Sequence, residues 1–290
     1  MKTVATISRQ AMQQLQERYP ADEARALCYR MLQHVSGMSY TQLLAFRDAP
    51  LADAAVAAVC AAVDDLLRHK PWQYITGEVQ FCGLAFAVNE AVMIPRPETE
   101  ELVDWALAEL DDLQAAGEAL AALDLCTGSG CIAVSIAVQA GNVAVVACDI
   151  SDDALAVARG NAQRHAANVR FAVCDVLQQP PALPAEPAAW HAILSNPPYV
   201  RRSEQRLMQP NVLQYEPHAA LFVDDADPLA FYRAVADIAA HRLAPAGFVM
   251  VEINEALADV TAAVFQQAGF RSVQARKDVY GKDRFLKINK

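Results

Sequence analysis

The chain has no run of about 18 uninterrupted apolar residues, which argues against a membrane-spanning helix. It has no Cys-x-x-Cys pair. Its seven cysteines, at 28, 60, 82, 126, 131, 148 and 174, are scattered and mostly embedded in apolar runs. That pattern fits reduced core cysteines in a cytoplasmic protein, and it argues against a disulfide frame or a thiolate metal site. The opening stretch "MKTVATISRQAMQQLQERYP" holds no sustained apolar block, so no secretory leader is expected. Positive charge is also scarce. Lys and Arg number 24 against 34 Asp and Glu, the net charge is −10, and only "VRR" and "ARK" form small basic clusters. A protein that works on free DNA or RNA usually carries a basic stripe, so a protein or small-molecule partner is favoured. What remains is a globular composition, 54% hydrophobic and 20% charged over 290 residues, which is enough for two domains.

The first part of the chain reads as helices. In "DEARALCYRMLQHV" apolar residues fall at 24, 27, 28, 31, 32 and 35, which is helical spacing, and Gly37 follows as a stop. Ser39 with Gln42 forms a candidate capping box. "DAAVAAVCAAVDDLLRHK" offers Asp53 as an N-cap and an apolar stripe at 56, 59, 60, 63, 66 and 67. "EVQFCGLAFAV", with Cys82-Gly83 near its middle, predicts a short hairpin. "PETEELVDWALAEL" predicts a helix whose start carries Pro97 and the acids Glu98, Glu100 and Glu101; "DDLQAAGEA" reads as a surface connection. From residue 120 strands and helices alternate, with a proline-rich loop at 178–187 and a long polar loop after residue 200. Alternation of this kind predicts a parallel sheet covered by helices on both faces, and the short "KDVYGKD" turn pairs the last two strands antiparallel.

"LDLCTGSGCIAVSIA" places a glycine-containing turn between a strand and a helix. Gly128 and Gly130 let a ligand approach the backbone, and the helix start offers unpaired N–H groups. Asp149 ends the next strand, where an acid can accept from both hydroxyls of a ribose. Asp175 ends the third, where it can face an adenine amino group. "GSGCIA" even fits a dinucleotide pattern, so NAD and S-adenosylmethionine both satisfy this constellation.

The stretch "HAILSNPPYVRR" chooses between them. An apolar strand runs into Asn196, Pro197, Pro198 and Tyr199, and it should lie beside the first strand if the strand order reverses there. Asn196 then emerges next to the cofactor with an oxygen that accepts a hydrogen bond. The prolines fix φ, lack N–H donors and hold their carbonyls outward, and Tyr199 adds a flat wall. The result is a rigid acceptor pocket for a planar –NH2 group, suited to methylation of an amide or an exocyclic amine. An amide nitrogen is a poor nucleophile. Two acceptors, Asn196 Oδ1 and the Pro197 carbonyl, can hold both its hydrogens, orient its lone pair and stabilise the charge that develops on it.

These residues resemble the amine methyltransferases with an Asn-Pro-Pro-Tyr motif. From about Pro71 onward the chain more closely resembles the release-factor glutamine N5-methyltransferases, the PrmC/HemK family. The segments that carry the resemblance are "YITGEVQFCGLAFAV", "IPRPETEELV", "LDLCTGSGCIA", "SNPPYV", "YEPHAAL" and "KDVYGKDRF". The resemblance implies a Rossmann-like S-adenosylmethionine-dependent methyltransferase sheet with an antiparallel last strand, preceded by a small N-terminal helical bundle. It implies a helical substrate-recognition domain at 1–70, a β-hairpin linker at 71–95 and a methyltransferase domain at 96–290. It further implies transfer of methyl from S-adenosyl-L-methionine to the Gln of the Gly-Gly-Gln motif in class I peptide chain release factors, leaving S-adenosyl-L-homocysteine. By the same resemblance, Cys126, Thr127, Gly128, Ser129 and Gly130 form the methionine-side loop. Asp149 takes the ribose, Asp175 and Val176 the adenine end, and Asn196 reaches cofactor and substrate alike. Asn196, Pro197, Pro198 and Tyr199 bind the glutamine, with Asn196, Pro197 and Tyr199 as the catalytic set. Arg96 lies near the mouth, or else pairs with acids beside it, and "YEPHAAL" closes the 200–220 loop over the site. Cys126 stands where many relatives have Gly, which a Cys tolerates if its φ is negative. The expected enzyme is a cytoplasmic monomer without metal, membrane or direct nucleic-acid partner. A ribosomal-protein glutamine methyltransferase and a nucleic-acid adenine N6-methyltransferase share the pocket; "PRPETE" and the acidic balance favour the release-factor reading.

Overall fold

A computed structural model describes residues 2–114, 117, 119–178, 187 and 189–290. Most of the expected proline-rich loop at 178–187 lies outside the described residues, as do 115, 116 and 118 of the connection expected after Leu110. Two compact units are present: Met1–Thr76 with Gln209–Tyr215, and Gly77–Met208 with Glu216–Lys290.

The first unit is helical: α1 (Val4–Leu15), α2 (Ala21–Ser36), α3 (Tyr40–Ala45), α4 (Asp53–Leu67), α5 (Trp72–Thr76) and, later in the chain, α9 (Pro210–Tyr215). Gly37 ends α2 at φ 69°, a left-handed cap that glycine adopts without steric cost. Ser39 and Gln42 exchange the two hydrogen bonds of a capping box at α3. Asp53 is not an N-cap: Ala52 occupies that position with no side-chain bond, and Asp53 is the first helical residue, where its charge favours the helix dipole instead. The stripe predicted on α4 buries Val56, Val59, Val63 and Leu66 against Ile7, Leu15, Met31 and Leu32, whereas Cys60 is exposed.

The second unit opens with a hairpin, β1 (Glu78–Phe81) and β2 (Leu84–Ala87), turned by Cys82 and Gly83, both at positive φ as a tight hairpin turn requires. Helix α6 (Pro97–Gln114) follows and runs four residues into the stretch expected to be a surface connection. Then come β3 (Leu120–Leu125), α7 (Cys131–Gln139), β4 (Val143–Asp149), α8 (Asp152–Arg164), β5 (Val169–Val173) and β6 (Trp190–Ser195). The expected polar loop contains short elements: β7 (Val200–Arg201), a 3-10 turn Arg202–Leu207, α10 (His218–Leu221) and β8 (Phe222–Val223). Each is two to six residues long, too short for an apolar period to announce it. The chain ends with α11 (Ala230–Arg242), β9 (Leu243–Glu252), α12 (Ala258–Gln267), β10 (Ser272–Lys277) and β11 (Asp283–Asn289).

Seven strands form one sheet in the order β10-β11-β9-β6-β3-β4-β5. Strands β9, β6, β3, β4 and β5 are parallel, and β11 runs antiparallel to both β9 and β10. Both faces are covered, which is why β3 is buried along its whole length. Ala122, Ala192 and Leu194 face α6 and α7 through Leu102, Val103 and Ile132. Leu123, Ile193 and Val249 face α11 and α12 through Tyr232, Val235 and Phe265. The strand order reverses between β3 and β6, where Leu125 and Ser195 are in register. The Ser195 hydroxyl donates to the Leu125 carbonyl at 2.8 Å, fixing the two strand ends beside each other. Among the described residues no helix is long and apolar enough to cross a membrane.

Candidate active site

At the switch point β3 passes into the turn Cys126–Gly130. Three of its residues have left-handed φ: Cys126 at 61°, Gly128 at 53° and Gly130 at 80°. Gly130 is further constrained by space, because a Cβ there would meet the Ala158 Cβ at 3.0 Å and Cα at 3.2 Å. Cys126 does not meet the condition of a negative φ under which a cysteine is tolerated there without strain. The turn needs a left-handed residue directly after β3, so this chain places an L side chain where the conformation costs about 1–2 kcal/mol. Burial, with Asp149 and Asp124 nearby, pushes the Cys126 thiol well up; it is a packing group and not a nucleophile.

Asp124, which the motif reading passed over, holds this turn from beneath. Its Oδ2 accepts from the Thr127 hydroxyl at 2.6 Å and the Ala133 amide at 3.2 Å. Its Oδ1 is buried without a partner. Burial raises its pKa to about 7, against those two hydrogen bonds, and Asp149 adds to the rise. Asp149 ends β4 as expected. Its Oδ2 accepts from Gly128 N at 2.9 Å and its Oδ1 from Ser151 N at 3.0 Å, each oxygen retaining further acceptor capacity. Asp175 lies two residues beyond the end of β5, not on it. There its Oδ1 accepts from Leu177 N at 3.0 Å, next to buried Val176.

Asn196 leaves β6 on the other side of the switch point, half-buried, with Pro197 and Pro198 buried behind it. Its Nδ2 donates to Thr99 Oγ1 at 3.1 Å. Thr99 Oγ1 donates in turn to Glu252 Oε2 at 2.7 Å, and the Tyr199 hydroxyl donates to Glu252 Oε1 at 2.9 Å. Tyr199 is thus anchored through its hydroxyl, and burial beside Glu252 pushes that hydroxyl's pKa well up. Thr99 and Glu252 are 1% exposed, and neither was expected from the sequence. The available signals were a Thr on the buried face of an acid-rich helix and an acid closing the apolar run "FVMVE". Asn254 adds a clamp, donating to the Tyr199 carbonyl at 3.2 Å and to Glu204 at 2.9 Å.

Arg96 pairs with an acid, though not with one beside it. Its Nη2 meets Glu216 Oε1 at 2.5 Å, while Glu216 Oε2 accepts from Ile94 N at 3.2 Å. The Glu of "YEPHAAL" therefore ties the end of the 200–220 segment to the start of α6. The seven cysteines are free thiols, and among the described residues no cluster of His, Cys, Asp and Glu could hold a metal ion.

Residues 107–221 match the family model described as Methyltransferase small domain, and residues 6–77 match the PrmC N-terminal domain. A release factor glutamine methyltransferase of Flavobacterium psychrophilum is 45% identical over 77% of this chain and 77% of its own length. One of Bacteroides thetaiotaomicron is 38% identical over 96% of this chain and 97% of its own. Among solved structures, the hMettl16 catalytic domain in complex with a MAT2A 3'UTR hairpin has a TM-score of 0.54 at 13% identity. It covers 81% of this chain and 79% of that one, a likeness of fold alone.

Proposed function

Because the chain belongs to the release factor glutamine methyltransferases, we propose that it methylates the side-chain N5 of the Gly-Gly-Gln glutamine in class I peptide chain release factors, with S-adenosyl-L-methionine as donor. The observation that carries this reading is the placement of the Asn196 amide. It emerges at the β3–β6 switch point, beside the Cys126–Gly130 turn, with its nitrogen already committed to Thr99. Its Oδ1 is left to accept.

The residues present fit the cofactor. Asp124 Oδ1 is a buried acceptor lacking a donor, which suits an ammonium group. Asp149 has acceptor capacity for ribose hydroxyls, and Asp175 with Val176 borders the place for adenine. Thr127, Ser129 and the glycines line the methionine side. When bound, S-adenosylmethionine supplies an electrophilic methyl group on a sulfonium sulfur.

The chain's own residues prepare the nucleophile. Asn196 Oδ1 and the Pro197 carbonyl take the two amide hydrogens, which turns the nitrogen lone pair outward. They also stabilise the positive charge that grows on nitrogen as the new bond forms; one well-placed group of this kind contributes about 3–4 kcal/mol. The amide nitrogen gains the methyl as the S–CH3 bond breaks, leaving S-adenosyl-L-homocysteine; its N–H proton becomes acidic only at that stage and is released to water, so no strong base is needed beforehand. Pro198 stiffens the acceptors and the Tyr199 ring walls the planar group. The helical unit at 1–70 engages the body of the release factor, residues 71–95, which carry α5 and the β1–β2 hairpin, serve as linker, and Arg96 shapes the mouth.

Asn196→Ala should abolish transfer while leaving most of the S-adenosylmethionine affinity, measured by methylation assay beside calorimetric titration. Unchanged turnover would sink the mechanism. Mass mapping of methyl groups on a release factor, a ribosomal-protein substrate and DNA, compared side by side, separates the proposed substrate from its two rivals.

A further inference from the structure

An asparagine amide can face either way, so the Asn196 oxygen faces the site only if something holds it there. Its direction is set by proton counting through two buried neighbours. Glu252, as a carboxylate, can only accept. It accepts hydrogen bonds from the Thr99 hydroxyl at 2.7 Å on Oε2 and from the Tyr199 hydroxyl at 2.9 Å on Oε1. A threonine has one hydroxyl proton. With that proton directed at Glu252, Thr99 Oγ1 has only lone pairs to offer Asn196 at 3.1 Å. The group of Asn196 that faces Thr99 must then be the NH2, and the oxygen must face the site.

We infer that Glu252 and Thr99 are positioning residues for the methyl-transfer reaction: the Glu252 carboxylate fixes the direction of a hydrogen-bond chain through Thr99 that holds the Asn196 oxygen toward the substrate amide. The inference rests on the proposed function and deepens it. Reversed, the chain would present the Asn196 NH2 to the substrate NH2, donor against donor, and the amide would not be gripped.

The surroundings of Glu252 support a directional role beyond core filling. The carboxylate is 1% exposed, at the last residue of β9. Thr99 and Glu98 reach toward it from α6, Tyr199 from the turn after β6, Arg284 from β11, and Tyr232 on α11 donates to its main-chain carbonyl at 3.1 Å. Two hydroxyls and the Arg284 charge favour the ionised form; burial and Glu98 oppose it, and burial prevails, so this carboxyl titrates above the ordinary range. Protonation gives Glu252 a proton to donate, frees Thr99 to donate to Asn196, and so permits the reversed chain. Turnover should therefore fall with acid through a pKa higher than that of an ordinary glutamate.

The test uses the full-length enzyme with a release factor as substrate. Thr99→Val keeps the shape and removes the hydroxyl; kcat should fall on the order of 10²-fold, the cost of a misoriented group, while the calorimetric Kd for S-adenosylmethionine stays near wild type. Thr99→Ser, which restores the hydroxyl, should recover most of the rate. Glu252→Gln should lower kcat and lose the acid limb of the kcat–pH profile. Should Thr99→Val fail to bind the cofactor, Thr99→Ser and the Glu252→Gln profile carry the decision. Wild-type kcat in Thr99→Val, no recovery in Thr99→Ser, or an unchanged acid limb in Glu252→Gln would each overturn the inference. Asn196→Ala is run alongside. If it turns over normally, the proposed function fails; if it is dead while Thr99→Val is fully active, only the positioning chain fails.

Discussion

Removing the Arg96 guanidinium would strand a carboxylate. The Glu216 side chain is 1% exposed and has two partners, Arg96 Nη2 at 2.5 Å and Ile94 N at 3.2 Å. In Arg96→Ala only the backbone amide remains. Breaking a buried ion pair by deleting one member costs about 3–5 kcal/mol, because the other charge stays buried. Arg96 itself is 31% exposed, so water can follow into the vacated space and screen the charge. The expectation moves below that range, to about 2–3 kcal/mol. Changing the stranded group to a neutral amide should return most of that, so Arg96→Ala/Glu216→Gln should be more stable than Arg96→Ala alone, with a coupling of about 1–2 kcal/mol. Urea unfolding followed by tryptophan fluorescence is a suitable assay, since Trp105 and Trp190 lie in the same unit as the pair. An Arg96→Ala variant within about 0.5 kcal/mol of wild type, the range of ordinary surface changes, would refute the argument. So would a double variant no better than the single.

Asp124 is expected to make the protein less stable as pH rises. Its folded pKa, near 7, lies above its unfolded value, so the unfolded chain releases the proton first and gains between about pH 4 and 7. Asp124→Asn removes that slope; its stability relative to wild type should climb across the window, and a pH-independent difference would contradict the burial argument. Cys126→Gly relieves a left-handed conformation worth about 1–2 kcal/mol, but it frees the unfolded chain by about 0.4–1 kcal/mol and gives up a packed thiol. The net change in stability should stay within about 1 kcal/mol, with cofactor binding at least as tight. A loss of twice that would show that the cysteine side chain, not the turn, sets the energetics there.

Much of this architecture was legible beforehand, because the signals were local. Alternating apolar strands and capped helices gave the layered sheet, and the run "HAILSNPPYV" pointed to an asparagine delivered from a strand end at the switch point. The parts that escaped are long-range or conformational. Thr99 meets Asn196 across 97 positions and Glu252 across 153, so no motif window contains the chain that orients the amide. The acid that pairs with Arg96, Glu216, lies 120 positions on, so the local acids of "PRPETE" do not identify it. The positive φ at Cys126 belongs to the turn between β3 and α7, which apolar periodicity does not encode. The 3-10 turn and the two helices between β7 and β8 leave no readable signal because each is only four to six residues long, too short to establish an apolar period.

One amide behind the cofactor turn is as tightly constrained as the residues that line it. Asn161, on α8, is fully buried. Its Nδ2 donates to the Ala87 carbonyl at 3.0 Å and the Ser129 carbonyl at 2.9 Å, while its Oδ1 accepts from Ala87 N at 2.7 Å. Both amide hydrogens and the oxygen are used, and three main-chain groups on two separate segments depend on them. Aspartate would turn an acceptor against two carbonyls. Leucine would fill the volume and leave all three groups without partners. Glutamine is a methylene too long for the space. The hairpin and the cofactor turn are thereby tied through one side chain, so a shift in either is felt by the other.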